Sequence, residues 1–590
     1  MIKKLLICIS LCFVFTGCSS KSAVVQVDEN NDNKSYLSSI ETDKAIYKPG
    51  ETVQLKVDFK QGLKGKQLEV RYRFGNKIIK EEKKNLNKEK TFTWKWNPPT
   101  ENEKGYMVEV FLKKDKKYVD HINIAVDVSK DWSKFPRYGY LADFESMDKT
   151  EQQEVMNRLN RYHINGIQFY DWQYKHHQPL PPEGSPLQKE WTDIANRPVS
   201  YETVKNYIDL SHQFNMKAMN YNLLFGSYEG SEKEGVKREW GLYQDSAHET
   251  QDFHPLPDSW ASNIMLEDPA NKEWQSYLIE KEKEVFSDLP FDGWHVDQLG
   301  DRGMRWNYEG EITSLEEGYV SFLDKAKEQL KVPLVMNAVN QYGQINISKK
   351  APVDFLYSEV WKPFTQYSHL KQIIDQNNNF SSFEKNTVLA AYMNYDLSDS
   401  LGEFNTPGIL FTNAVIFSSG GSHLELGENM LSKEYFPHKK LKITKKLEKQ
   451  LISYYDFLTG YQNFLRDEVK PSSLEVNSKT NKISPEFNKG EIYYSAYEKG
   501  NRNIVHLINF TNASTMEWQD NEGTQTEPKE KKEIELEINT AKKVEKVWLA
   551  TPDQYFGSPV SLDFKQKNDK MTVTIPSLKY WDMFVIEYAK

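Results

Sequence analysis

Short runs in which apolar and polar residues alternate fill the chain from about Tyr36 to Val128. Thr52–Phe59, Gln67–Phe74, Thr91–Trp96, Tyr106–Leu112 and His121–Val128 each read as a half-buried strand, since strand side chains point to two faces in turn. Lys48-Pro49-Gly50 and Asn97-Pro98-Pro99 supply turns between them. Residues 35–129 are therefore expected to form an immunoglobulin-like β-sandwich. From Pro136 the texture changes to apolar strand runs alternating with helical patterns, the mark of a parallel sheet. Eight strand candidates follow: Tyr138–Ala142, Gly166–Tyr170, Lys217–Asn222, Gly293–Asp297, Leu334–Ala338, Phe355–Glu359, Val388–Met393 and Ala414–Ser418. Helical periodicity covers Glu151–His163, Tyr201–Phe214, Lys272–Phe286 and Ser314–Leu330. Eight such units predict a (β/α)8 TIM barrel over residues 130–462. Its longest loop, Leu223–Asp268, is dense in Trp, Tyr, His and Pro and is expected to wall a cleft. After a helix at Thr444–Leu458, alternating runs from Ile492 to Tyr588 predict an all-β unit over residues 463–590.

The first residues carry a different pattern. Lys3 and Lys4 precede an apolar stretch, Leu5–Phe15, that is too short for a stable membrane span. Phe15-Thr16-Gly17-Cys18 then resembles a bacterial lipoprotein cleavage box. On that reading residues 1–17 are a signal peptide, Cys18 is the lipid attachment site and polar residues 18–34 are a tether. The expected location is the cell envelope, with the chain lipid-anchored to a membrane; an ordinary secretory signal peptide is the alternative. Of the three cysteines, Cys8 and Cys12 lie in the removed segment, which leaves no disulfide and no cysteine metal site. A net charge of −9 offers no footprint for nucleic acid, and a neutral polymer suits it better than a polyanion. Aromatic content of 13% fits both a core and a sugar-binding cleft.

Candidate chemistry gathers at the C-terminal ends of the predicted barrel strands, where side chains of different strands converge. In FDGWHVDQLG, alternation puts His295 and Asp297 on one face. In DFLYSEVW it puts Glu359 at the end of the sixth strand. Two carboxyl groups on different strands are what glycoside hydrolysis needs, one of them protonated. The other strand ends add Tyr170, Asp171, Trp172 and His177, then Tyr221 and Asn222, then Asn337, Trp361, Tyr392, Asn394, Asp396 and Glu425. Rings can stack on sugar faces while Asp, Asn and His grip hydroxyls. Taken singly, each is more often a loop cap or a core aromatic than a ligand. No His-Glu-x-x-His pattern occurs, and no metal or cofactor is expected.

Five segments in order, YDWQYKHH, DGWHVDQLG, DFLYSEVW, AYMNY and GGSHLELGE, resemble glycoside hydrolase family 66, which contains endo-dextranases and cycloisomaltooligosaccharide glucanotransferases. The resemblance implies the same three-unit layout and a retaining mechanism, with Asp297 as nucleophile and Glu359 as acid/base. It also implies dextran as substrate and isomaltooligosaccharides as products. Cyclising members carry a binding module inserted in the barrel, and no gap between successive strands here holds one, so hydrolysis is expected over cyclisation. A monomer is expected. A glycan-binding lipoprotein without catalysis is the reading from another class; the presence of both carboxylates counts against it.

Overall fold

The computed structural model describes residues 35–61, 63, 66–114 and 117–590. The expected signal peptide, lipid site at Cys18 and tether lie outside the described residues. Residues 37–128 form two antiparallel sheets. One pairs Leu37–Thr42, Val53–Phe59 and Thr91–Trp96; the other orders Lys77–Asn85, Gln67–Phe74, Lys104–Lys114 and Lys117–Val128. Their inner faces share one core that includes Leu55, Val57, Trp94, Tyr72, Val108 and Ile124. Two strands had no signal in the alternation. Lys77–Asn85 is almost wholly charged after Ile79, because it is an edge strand whose Lys and Glu residues face water.

Eight parallel strands follow: β1 (Tyr138–Leu141), β2 (Gly166–Phe169), β3 (Lys217–Leu223), β4 (Gly293–Asp297), β5 (Leu334–Met336), β6 (Leu356–Glu359), β7 (Thr387–Ala390) and β8 (Ser422–Leu424). They do not make one continuous ladder. β1 to β5 form a sheet of five, and β6 to β8 a sheet of three. A single parallel bridge between Asn337 and Tyr357 joins the two sheets, and the Tyr140 N–H donates to the Leu426 carbonyl on the far side. Side chains from seven of the strands, or from the residues that flank them, meet in one cluster, among them Tyr138, Tyr170, Tyr221, Val335, Phe355, Val388 and Leu424. His295 of β4 packs among them, against Tyr138, Tyr221 and Tyr357.

Connecting helices start where their caps dictate. α1 (Lys149–Arg161) is capped by Asp148, α3 (Lys272–Asp288) by Asn271, and α4 (Leu315–Leu330) by Ser314. α2 (Tyr201–Gln213) also matches the periodicity. α5 (Gln344–Lys350) and α6 (Tyr367–Phe380) complete the set before the eighth unit. There the expectation fails. Ala414–Ser418 is not a strand but the end of α7 (Thr406–Ser418), and the eighth strand is Ser422–Leu424. α7 is buried on every side except at Pro407, so it has no polar face to give a helical period. A long apolar run of this kind reads equally as a buried strand. α8 (Lys445–Gly460), capped by Thr444, leads into the last unit.

Residues 470–588 form two further sheets. The larger is built on Ile492–Lys499, Arg502–Asn509, Trp581–Tyr588 and Val544–Ala550, and the smaller on Lys531–Asn539 and Lys570–Leu578. A core of Val505, Leu507, Leu536, Val547, Val573 and Ile586 lies between them.

Candidate active site

Alternation along the parallel strands decides which side chains reach the cleft at their C-terminal ends. Asp297 ends β4 and Glu359 ends β6, both partly exposed. Asn337, just past β5, lies between them. Its side-chain N–H groups donate to Asp297 Oδ1 at 2.9 Å and to Glu359 Oε2 at 3.1 Å. The two oxygens are thus at most about 6 Å apart, the sum of those distances, and the roughly 120° fork of an amide NH2 brings them near 5 Å. The Asn337 side-chain Oδ1 also accepts the Glu359 backbone N–H.

The surroundings separate the two carboxyls. Asp297 accepts three hydrogen bonds: from the Tyr221 hydroxyl at 2.6 Å, from Asn337, and from the Gln298 N–H at 2.8 Å. Burial raises its pKa and these three donors oppose the rise. Glu359 accepts from the Tyr392 hydroxyl at 2.6 Å and from Asn337. Burial, and then the charge of Asp297, push it up to about 7. A protonated Glu359 beside an ionised Asp297 is the arrangement that these environments favour.

The cleft around the pair has a volume of about 340 Å³. Of the residues expected at the strand ends, Tyr170, Asp171, Tyr221, His295, Asn337, Trp361 and Tyr392 line it with Asp297 and Glu359. Asp171 is held at φ 50°, faces the Arg197 guanidinium at 3.8 Å, and is raised to about 7, chiefly by burial. Trp361 packs against Tyr392 with ring centres 5.2 Å apart. His295 lies deeper, and burial lowers it to about 3, so it is neutral.

Six expected residues do not line the cleft, and each has a physical reason. Trp172 is sealed between Trp191 and Phe291, its indole N–H donating to Asn220 Oδ1, because the left-handed turn at Asp171 breaks the strand alternation. Asn222 follows the inward Tyr221, so it points outward and donates to Glu282. His177 is buried against Glu234 in a neighbouring cavity, and it is His176 that reaches the cleft. Glu425 points away from Leu424 and is enclosed by Asn413 and Tyr455. Asn394 donates to Asp520 in the last unit, and Asp396 is exposed to solvent.

Several cleft residues carried no strand-end signal. His254 and Trp260 come from the long loop after β3, where aromatic density was the only hint. Glu434 and Tyr435 come from the loop after β8. The His254 ring nitrogen lies 2.8 Å from the Tyr435 hydroxyl, and Trp260 packs edge-on against the Tyr435 ring at 5.1 Å. Glu434 accepts from the Tyr395 hydroxyl, and its charge adds to the upward pressure on Glu359. Among the described residues no group of three or more His, Cys, Asp or Glu is arranged to hold a metal ion.

A close carboxyl pair in a tyrosine-lined cleft, set on parallel strands, defines a carbohydrate-active enzyme site. The chain belongs to glycosyl hydrolase family 66, whose model matches residues 42–585. A cycloisomaltooligosaccharide glucanotransferase of Niallia circulans is 27% identical, over 92% of this chain and 71% of that protein. A dextranase of Streptococcus salivarius is 23% identical, over 82% of this chain and 68% of its own length. Among solved structures, a Paenibacillus cycloisomaltooligosaccharide glucanotransferase complexed with cycloisomaltoheptaose superposes with a TM-score of 0.87 at 24% identity, covering 93% of this chain and 99% of that one. The fold is shared with that enzyme.

Proposed function

We propose that this chain is a retaining endo-hydrolase of the α-1,6-glucosidic linkages of dextran, releasing isomaltooligosaccharides. The observation that carries the reading is the shared amide of Asn337, which holds Asp297 and Glu359 within about 6 Å. That separation suits a double displacement, which wants about 5–5.5 Å, and leaves no room for the water of an inverting site at about 6.5–9.5 Å. Asp297 attacks the anomeric carbon while Glu359 gives its proton to the leaving oxygen. Glu359 then takes a proton from water as the glycosyl-enzyme is hydrolysed. Tyr170, Asp171, Trp361 and Tyr392 contact the sugars. The eight parallel strands are read as a (β/α)8 barrel over residues 130–462, flanked by an immunoglobulin-like sandwich at 35–129 and a β unit at 463–590, in a monomer lipid-anchored through Cys18.

The family's other activity, cyclising transfer, is the second reading, and the 27% identity to a glucanotransferase favours it. Against it, that alignment runs over 699 positions, more than the 590 residues here, so the relative has segments without a counterpart in this chain. Dextran digestion followed by size separation tests the proposal. Early loss of viscosity with linear oligosaccharide products is expected. Glucose release in step with viscosity would make the action exo, and predominantly cyclic products would establish transfer.

A further inference from the structure

Charge is unevenly placed along this chain. The whole carries a net −9, yet residues 35–129 hold twenty Lys or Arg against fourteen Asp or Glu. The excess is concentrated in three short segments. Residues 60–66, 84–90 and 113–117 together contain ten Lys, opposed only by Glu89 and Asp115.

Strand register brings these segments to one pole of the N-terminal sandwich. Gln67 pairs with both Asn85 and Lys113, Leu37 with Phe59, and Thr91 with Asp58. The Phe59 N–H donates to the Lys90 carbonyl and the Leu86 N–H to that of Lys66. Lys66 Nζ stands 3.6 Å from the centre of the Tyr36 ring, which ties the two sheets together there. Burial, and then the charge of Lys114, lower the Lys66 pKa, so like charges crowd this pole. Lys84 and Lys113 are paired with Glu82 and Glu69. Lys60, Lys88, Lys90 and Lys114 are exposed and have no ion pair among the described residues. The opposite pole is closed against the parallel-strand unit: Asn160 donates to the Thr42 carbonyl, Ala45 N–H to the Phe214 carbonyl, and Gly105 N–H to Asn463 Oδ1. The rise of the strands sets the lysine pole about 20–30 Å beyond those contacts.

We propose that this pole is a membrane-facing surface that binds the anionic headgroups of a phospholipid bilayer. An acidic protein is repelled by such a surface unless it turns a basic end towards it. The described residues also begin here, where the N–H groups of Tyr36 and Leu37 donate to Asp120. The choice of a bilayer over another polyanion rests on the proposed lipid anchor. Seventeen residues separate Cys18 from Ser35, at most about 60 Å of extended chain, so an anchored chain keeps this pole near the headgroups. A lipid chain and a basic surface are together the two signals that stable anchoring requires.

Sedimentation of the full chain carrying Cys18→Ser with lipid vesicles is the test. That substitution removes the anchor itself, so the outcome is separate from whether the anchor exists. Binding to vesicles of equal phosphatidylcholine and phosphatidylglycerol is expected at about 0.05 M salt and should be lost at about 0.5 M. Vesicles of phosphatidylcholine alone should not bind. Lys88→Glu, Lys90→Glu and Lys114→Glu together should weaken binding by roughly tenfold or more, with melting and dextran cleavage unchanged. The same reversal at Lys149, Lys189 and Lys349, exposed elsewhere, should leave binding intact. No binding to the anionic vesicles, or equal loss from both triple variants, would overturn the proposal. Tighter binding to soluble polyphosphate than to vesicles of equal charge would overturn the assignment to a bilayer.

Discussion

Asn337 donates to both carboxyls, so at the scale of single residues their protonation is read as a property of the pair. On the proposed mechanism the working form has Asp297 ionised and Glu359 protonated. Turnover should therefore fall on the alkaline side as pH rises through about 7, where Glu359 loses its proton. Tyr392 donates to Glu359 and so favours its ionised form. Tyr392→Phe should move the alkaline limb of the kcat/KM profile to higher pH, and an unmoved limb would show that Glu359 is not the group observed. Asp297→Ala should abolish turnover on every substrate. Glu359→Gln should be milder on an aryl glucoside with a good leaving group. Azide should restore turnover to Glu359→Ala with retained configuration, which product NMR reads directly; inverted product would exchange the two roles. Asn337→Ala removes a donor from each carboxyl and should cost about 1–3 kcal/mol, or roughly 5- to 150-fold in kcat/KM.

Secondary structure was most legible where period and burial agree. β3, β4 and β6 lie within about a residue of their expected limits. α7 was misread because burial on all sides erased its period, and β8 was missed because Ser422–Leu424 is too short to show one. In the cleft, Asp297 and Glu359 stand where alternation put them and Asn337 where its strand-end position put it. Alternation failed at Trp172 and His177, past the φ 50° turn of Asp171. Glu434, Tyr435 and His254 sit on loops, where no period applies. A prediction follows for Trp172. Trp172→Phe leaves the Asn220 acceptor without its donor and should lower stability by about 1–3 kcal/mol, with kcat/KM preserved. Melting and kinetics on one preparation decide it, and a loss of kcat/KM with an unchanged melting temperature would return Trp172 to the cleft.

For the whole molecule, the proposed lipid anchor at Cys18 lies outside the described residues. Cys18→Ser should shift the chain from the membrane fraction to the soluble fraction with dextran-cleaving activity intact; an unchanged distribution would rule out the lipid anchor. Within the described residues, the contact of His254 and Trp260 with Tyr435 links the loop after β3 to the loop after β8. On the proposed function, a glucan strand passing beneath that contact would be held as thread is held by a needle eye. Such a strand would enter end-first or wait for the two loops to part. Breaking one hydrogen bond and one edge-on ring contact costs about 1–3 kcal/mol, so lateral capture from mid-chain would be slowed by roughly 5- to 150-fold. Tyr435→Ala should therefore quicken attack on long dextran far more than on short isomaltooligosaccharides, which can slip in by an end.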